Sequence, residues 1–260
     1  MGLSPFVLAL SLSVLASAIA LDSEESYAPS ASDQLYDDVV VGDYPGAVAR
    51  TRYFENENKG EIVEEVVTRL LRDAKRNIVE YAYQLWKENL KETVEQRFPV
   101  QFRPILDGNY VKFINKRDGL ALKLAYAVDD VGDRLAYGDV QDKTSERISW
   151  TVIPEWENNR VHFKMLYTQR NQYLKLAIAK DSIGDHEAYG ANEDDTYRHQ
   201  WYFHPVKYEH DVLFYIFNRE FGQALKLGRD ADSDGDRVLW GHNGNVLGSP
   251  ELFGWFIAPF

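Results

Sequence analysis

Two patterns along the 260 residues predict an α+β chain of two domains. Up to about Phe98, apolar residues recur at helical spacing. Beyond Pro104, short β-rich runs alternate with Gly, Asn and Asp turns and recur in three copies. The first pattern predicts an all-α N-terminal helical domain. The second predicts an all-β C-terminal domain whose repeats carry about four short strands each. Three such repeats fit a β-trefoil, a closed barrel with a triangular hairpin cap that protects its strand edges.

The chain opens with MGLSPFVLALSLSVLASAIA, an apolar run ending in small residues. Residues 1–20 read as a signal peptide, with cleavage after Ala18 or Ala20. The run is short for a spanning helix, and no later segment is long and apolar enough to cross a bilayer. Residues 21–31 are polar and carry Pro29, as expected of a flexible mature N-terminus. A secreted, extracellular protein is therefore expected.

The helical domain is expected over 32–99, with about four helices. Ser32 and Asp43 suit N-caps and Pro45 suits a first turn. Gly60–Ala74 carries Ile62, Val63, Val66, Val67, Leu70, Leu71 and Ala74 on one stripe, opposite Glu61, Glu64, Glu65, Arg69, Arg72 and Asp73. A last helix is predicted from Arg76 to Arg97. It sets Ile78, Ala82 and Leu85 on one face, with Trp86, Leu90 and Val94 beside it. Pro99 and Pro104 then stop helix formation.

The trefoil is expected over 100–260, in repeats of about 108–159, 160–210 and 211–260. Leu122-Lys-Leu124, Leu174-Lys-Leu176 and Leu225-Lys-Leu227 stand 52 and 51 residues apart. Gly132-Asp133, Gly184-Asp185 and Gly235-Asp236 keep those offsets, as do Tyr137-Gly138, Tyr189-Gly190 and Trp240-Gly241. Trp150 and Trp201 repeat as well, and Trp255 falls close to the third place. The repeated Leu and Trp residues are the expected shared core.

Composition narrows the function classes. A formal net charge of −12 argues against nucleic acid and against anionic membrane surfaces as partners. Cys is absent, so disulfides, thiol chemistry and Cys-ligated metals are excluded. No Gly-x-Ser-x-Gly, Gly-x-x-x-x-Gly-Lys or His-Glu-x-x-His motif occurs, and the acid pairs fall in predicted turns, so no catalytic residue is assigned. DADSDGDRVLWG (Asp230–Gly241) begins like a calcium loop, but Gly241 stands where the bidentate Glu is required. The repeat accounts for Gly235-Asp236 and Trp240-Gly241, which leaves a weak cation site at Asp230, Asp232 and Asp234 as the residual metal reading. No cofactor is predicted.

Val66, Leu70, Tyr81, Leu85 and Trp86 are the candidate lipid-binding residues, lining an apolar cleft between helices. The alternative is an ordinary helical core. Lectin-type trefoils often carry Gln-x-Trp in each repeat; here Ile148-Ser-Trp150 and Arg198-His-Gln-Trp201 stand instead, and no carbohydrate-binding residue is assigned.

The runs EIVEEVVTRLLRDAKRNIVEYAYQLWKEN (Glu61–Asn89), GNYVKFINKRDGLALKL (Gly108–Leu124), DRLAYGD (Asp133–Asp139) and FGWFIAPF (Phe253–Phe260) resemble the lepidopteran low-molecular-mass 30 kDa haemolymph lipoproteins. The resemblance spans essentially the whole mature chain and brings no catalytic motif. It implies a secreted haemolymph protein that stores amino acids and carries lipid or fatty acid. It also implies glucan or other sugar recognition in immunity as an alternative, and pure nutrient storage as a further one.

Overall fold

A computed structural model describes residues 28–139, 145–244 and 246–260. The segment read as a signal peptide, and residues 21–27 after it, lie outside the described residues. Five α-helices come first: α1 (Ala31–Val41), α2 (Tyr44–Asn56), α3 (Gly60–Arg72), α4 (Asn77–Lys87) and α5 (Lys91–Arg97). A 3-10 helix, Val100–Ile105, follows and contains Pro104.

Three local expectations are refined. The cap of α1 is Ser30 rather than Ser32. Ser30 accepts from the Asp33 amide while the Asp33 carboxylate accepts from the Ser30 amide, which is a capping box. Ser32 is the second residue of α1 and donates to Glu65 at 3.0 Å. Asp43 caps α2 as expected, accepting from the Gly46 amide at 3.1 Å, with Pro45 in the first turn. The single helix expected over Arg76–Arg97 is two. Asn89 adopts φ +62, a left-handed conformation that Asn tolerates, and so ends α4 and redirects the chain. The break lets α5 fold back against α3 as well as α4.

Twelve strands follow among the described residues: β1 (Tyr110–Asn115), β2 (Ala121–Leu124), β3 (Arg134–Asp139), β4 (Trp150–Glu157), β5 (Arg160–Tyr167), β6 (Gln172–Lys180), β7 (His186–Ala191), β8 (Gln200–Tyr208), β9 (Asp211–Asn218), β10 (Ala224–Leu227), β11 (Arg237–His242) and β12 (Gly254–Pro259). A short helix, α6 (Pro250–Phe253), precedes β12.

The expected β-trefoil is corrected. The structure shows a helical region followed by one large antiparallel sheet, in the order β10-β11-β3-β2-β1-β12-β9-β8-β5-β6-β7, with β4 off this path against β1 and β5. The three copies are unequal. The strands carrying the Leu-Lys-Leu motif run 4, 9 and 4 residues in β2, β6 and β10. Among the described strands, the β6–β7 pairing alone shifts register, between Leu176 and Lys180. In every copy the Leu-Lys-Leu strand pairs with the strand before it and the strand after it, but β6 resumes its pairing beyond the motif, at Lys180 opposite His186, and so runs longer.

What the repeat does fix is side-chain packing. Trp150, Trp201 and Trp255 are fully buried and donate their indole N–H to the carbonyls of Leu122, Leu174 and Leu225 at 2.9, 2.9 and 3.0 Å. The second Leu of each motif sits on the glycine of the next copy. A Cβ on Gly190 would come 2.1 Å from Leu124, and one on Gly241 would come 2.4 Å from Leu176. Leu227 closes the cycle against Gly138. The aromatic-Gly pairs are therefore sites of close approach rather than turns.

The hydrophobic core runs without a break from the helices into the sheet. A chain of aromatic contacts crosses the boundary: Tyr81 to Phe98 at 5.6 Å, Phe98 to Phe102 at 5.6 Å and Phe102 to Phe214 at 5.7 Å.

Candidate functional site

Four of the five side chains singled out for lipid sit deep in that core. Val66 and Leu70 of α3 and Tyr81 and Leu85 of α4 have no solvent exposure and belong to one packed cluster. The Tyr81 hydroxyl meets Thr51 Oγ1 at 2.5 Å. Burial pushes its ionisation well above the ordinary tyrosine range, with the Thr51 bond acting weakly the other way. Trp86 packs at the edge of the cluster, with Lys91 Nζ 5.0 Å over its ring. The structure brings these residues together, but as a filled interior.

The open apolar concavity of the helical region lies one layer outward. A groove of about 420 Å³ runs between α2 and α4 and is walled by the β4–β5 hairpin. Pro45 and Ala49 of α2 and half-buried Trp156 of β4 supply its apolar surface over a floor of buried Tyr44 and Val48, and Arg52, Gln84, Glu88 and Asn159 complete the lining. Trp156 meets Tyr44 edge-on at 5.7 Å and stacks on Tyr83 at 5.7 Å. The Asn159 side chain donates to the Gly42 carbonyl at 2.9 Å and pins the hairpin to the end of α1. Arg52 donates to the Glu88 carbonyl at 3.0 Å and ties α2 to the end of α4. The Tyr44 hydroxyl is pushed up to about 12 by burial, with the charge of Glu80 adding to the effect. It stays neutral and accepts from the Asn77 amide at 3.3 Å. Such a groove can take an apolar chain, with polar groups only at its mouth. Sequence reasoning missed Trp156. The available signal was that, unlike Trp150, Trp201, Trp240 and Trp255, it has no partner in the repeats.

A second cavity, about 580 Å³, opens between the β2–β3 and β6–β7 hairpins. Tyr137, Tyr189, Leu135 and Glu187 line it, and burial raises the Glu187 carboxyl above its ordinary range.

The acidic loop has a structural role. Asp232 Oδ1 accepts from the amides of Asp234 and Asp236, both at 2.9 Å. Asp129 and Asp181 make the same pair of bonds in the first two copies. Asp232 thus caps a turn shared by all three hairpins, while Asp230 and Asp234 stand exposed. Among the described residues, no group of three His, Cys, Asp or Glu side chains is arranged to hold a metal ion.

Residues 30–259 match the family model of the lepidopteran low molecular weight (30 kD) lipoproteins. The chain belongs to this family. It is 52% identical over 235 residues to microvitellogenin of Manduca sexta, covering 90% of this chain and 94% of that one. It is 50% identical over 228 residues to low molecular mass lipoprotein 3 of Bombyx mori, covering 88% and 89%. Neither name is that of an enzyme. Among solved structures, a Caenorhabditis elegans protein of unknown function aligns with a TM-score of 0.47 and 14% identity, over 58% of this chain and 93% of that one. In this lipoprotein no described helix is long and apolar enough to cross a membrane.

Proposed function

We propose that the chain is a secreted haemolymph storage protein that also carries lipid, with a fatty chain lying in the groove between α2 and α4. The observation that supports this reading is the groove in which exposed Pro45 and Ala49 and half-buried Trp156 offer apolar surface above the buried Tyr44 and Val48, beside a helical core that is otherwise filled. Each methylene buried there contributes about 0.8 kcal/mol. The seat differs from the one expected for Val66, Leu70, Tyr81 and Leu85, which support the groove from behind.

Mass spectrometry of an organic extract of the native protein tests the reading. Near-stoichiometric lipid is the expected result. Ala49 is exposed on the groove wall, so Ala49→Trp fills the groove without burying a charge. Loss of lipid from this variant supports the groove, and retained lipid moves the seat elsewhere. A lipid-free native protein leaves nutrient storage without a ligand.

A second reading places a sugar in the cavity between the hairpins. Tyr137 and Tyr189 beside the Glu187 carboxyl offer aromatic and hydrogen-bonding surface together. Retention on a glucan column, lost in Tyr189→Ala, is the expected result under this reading.

A further inference from the structure

The three turns that join β2 to β3, β6 to β7 and β10 to β11 share one scaffold. Each has an aspartate that caps it (Asp129, Asp181, Asp232), a glycine with positive φ (Gly132, Gly184, Gly235) and a closing Asp. The residue just before the glycine gives its amide to the capping aspartate, but the identity of its side chain is not fixed by these turn bonds. It is Val131 in the first turn, Ile183 in the second and Asp234 in the third. Val131 is 77% exposed and Ile183 72%. The third turn closes with the same bonds around Asp234, so folding does not require an apolar side chain there. Tyr126 and Ile178 repeat the contrast one step earlier: both are largely exposed, and Arg229 takes the third place. Val131 and Ile183 thus present large apolar side chains to water without a folding reason, whereas the Tyr126 ring carries the Arg147 guanidinium at 3.8 Å.

Residues beside these side chains line a common concavity. Ala127 and Val128 of the first turn and Ala177 beside Ile178 all line the 580 Å³ cavity between the two hairpins. The charge around them is negative. Asp129, Asp130 and Asp181 are exposed at the tips with exposed Lys180 beside them, while Arg134 in the cavity wall is half-buried on the Ala125 and Tyr126 carbonyls, on a chain of net charge −12. An anionic surface is repelled by this rim. A surface whose outermost groups are quaternary ammonium and whose interior is hydrocarbon matches both features: cations meet the carboxylates and the Val and Ile tips enter the apolar layer.

We propose that the β2–β3 and β6–β7 turns are a docking surface for a phosphatidylcholine layer, with Val131 and Ile183 as the inserting side chains and the acidic β10–β11 turn held in water. This contact concerns a lipid surface rather than a single bound chain, and it does not depend on the groove between α2 and α4.

The test is co-sedimentation of the full chain with phosphatidylcholine vesicles at about 0.1 M salt, where surface charges still act. Wild type is expected to partition onto these vesicles and to leave them when phosphatidylserine is added to the mixture. The double variant Val131→Asp/Ile183→Asp copies the residue that the third turn already carries, so its fold is expected to persist. Its partition should fall about tenfold or more, the scale of two lost apolar insertions. Absence of wild-type binding overturns the proposal, as does undiminished binding by the double variant. So does equal binding to the anionic mixture, or self-association of the chain that the double variant abolishes in the absence of vesicle binding. Ala49→Trp should sediment like wild type, so a failure of the groove reading remains distinguishable.

Discussion

Lys226 of β10 donates to Asp185, the closing aspartate of the preceding hairpin's turn, at 2.7 Å. His242 Nδ1 contacts the other oxygen of the same carboxylate at 2.6 Å. Lys123 repeats the arrangement one copy away, binding Asp139 at 2.8 Å and also Asp236 of the third turn. In the first and third copies the Leu-Lys-Leu motif therefore joins neighbouring copies twice, through leucine on glycine and through lysine on aspartate, while Lys175 of the second binds Asp194 within its own copy.

Asp185→Asn should destabilise the protein by about 3 kcal/mol, because Lys226 loses its counter-charge in a largely buried place. Replacing both partners, as Lys226→Met with Asp185→Leu, should cost less than the sum of the two single changes. Urea denaturation of the four proteins measures the coupling, and strictly additive losses would show that the pair does not interact.

Gly190→Ala should cost about 1–3 kcal/mol, since its Cβ would stand 2.1 Å from Leu124. Leu124→Ala in the same chain should recover part of the loss by making room. Thermal melts of the single and double variants decide this. A neutral Gly190→Ala would mean that the strand shifts to relieve the contact.

Stability should fall as the pH drops from about 6.5 to 4. His162 is depressed to about 4 by burial and by the positive charges of Arg219 and Arg76, with Arg160 adding to them and Glu157 opposing. His199 and His204 are lowered too, chiefly by burial. The unfolded chain protonates these rings first. Their stabilisation is therefore complete above the unfolded value and declines below it, by on the order of 2 kcal/mol for His162. Glu80 acts with the opposite sign: burial raises its carboxyl, so its contribution is full below the ordinary Glu value and declines as pH rises through the raised one. Chemical denaturation at pH 7, 5.5 and 4.5 should show a loss that His162→Gln reduces; an unchanged slope in that variant would assign the loss to other groups.

Leu85→Asp should unfold the helical region, at a cost above about 4 kcal/mol, because the carboxylate has no partner in a filled core. Circular dichroism should report lost helix. A helical variant without lipid would return Leu85 to the ligand site.

Much of this architecture was legible because it is periodic. The stripe from Ile62 to Leu71 announced α3, and the recurring Leu-Lys-Leu, Gly-Asp and Trp positions located the hairpins and their shared core. The break at Asn89 was not legible, because the residues on either side keep helical spacing while one φ value reverses the chain. Nor was the capping role of Asp232, whose equivalents Asp129 and Asp181 lie among other acids that look alike in the sequence.

The candidate site shows the same division. Apolar periodicity marks which residues leave water, but it does not distinguish a filled interior from an open groove, so Leu70 and Leu85 looked like Val48. The sequence by itself determined the helical region, the three copies and the family. Only the tertiary structure decided that Trp156 meets Tyr44 across the helix–hairpin boundary, and that twelve unequal strands join one sheet. Both outcomes depend on which surfaces meet across long sequence separations, and pairing of that kind leaves no period in the chain.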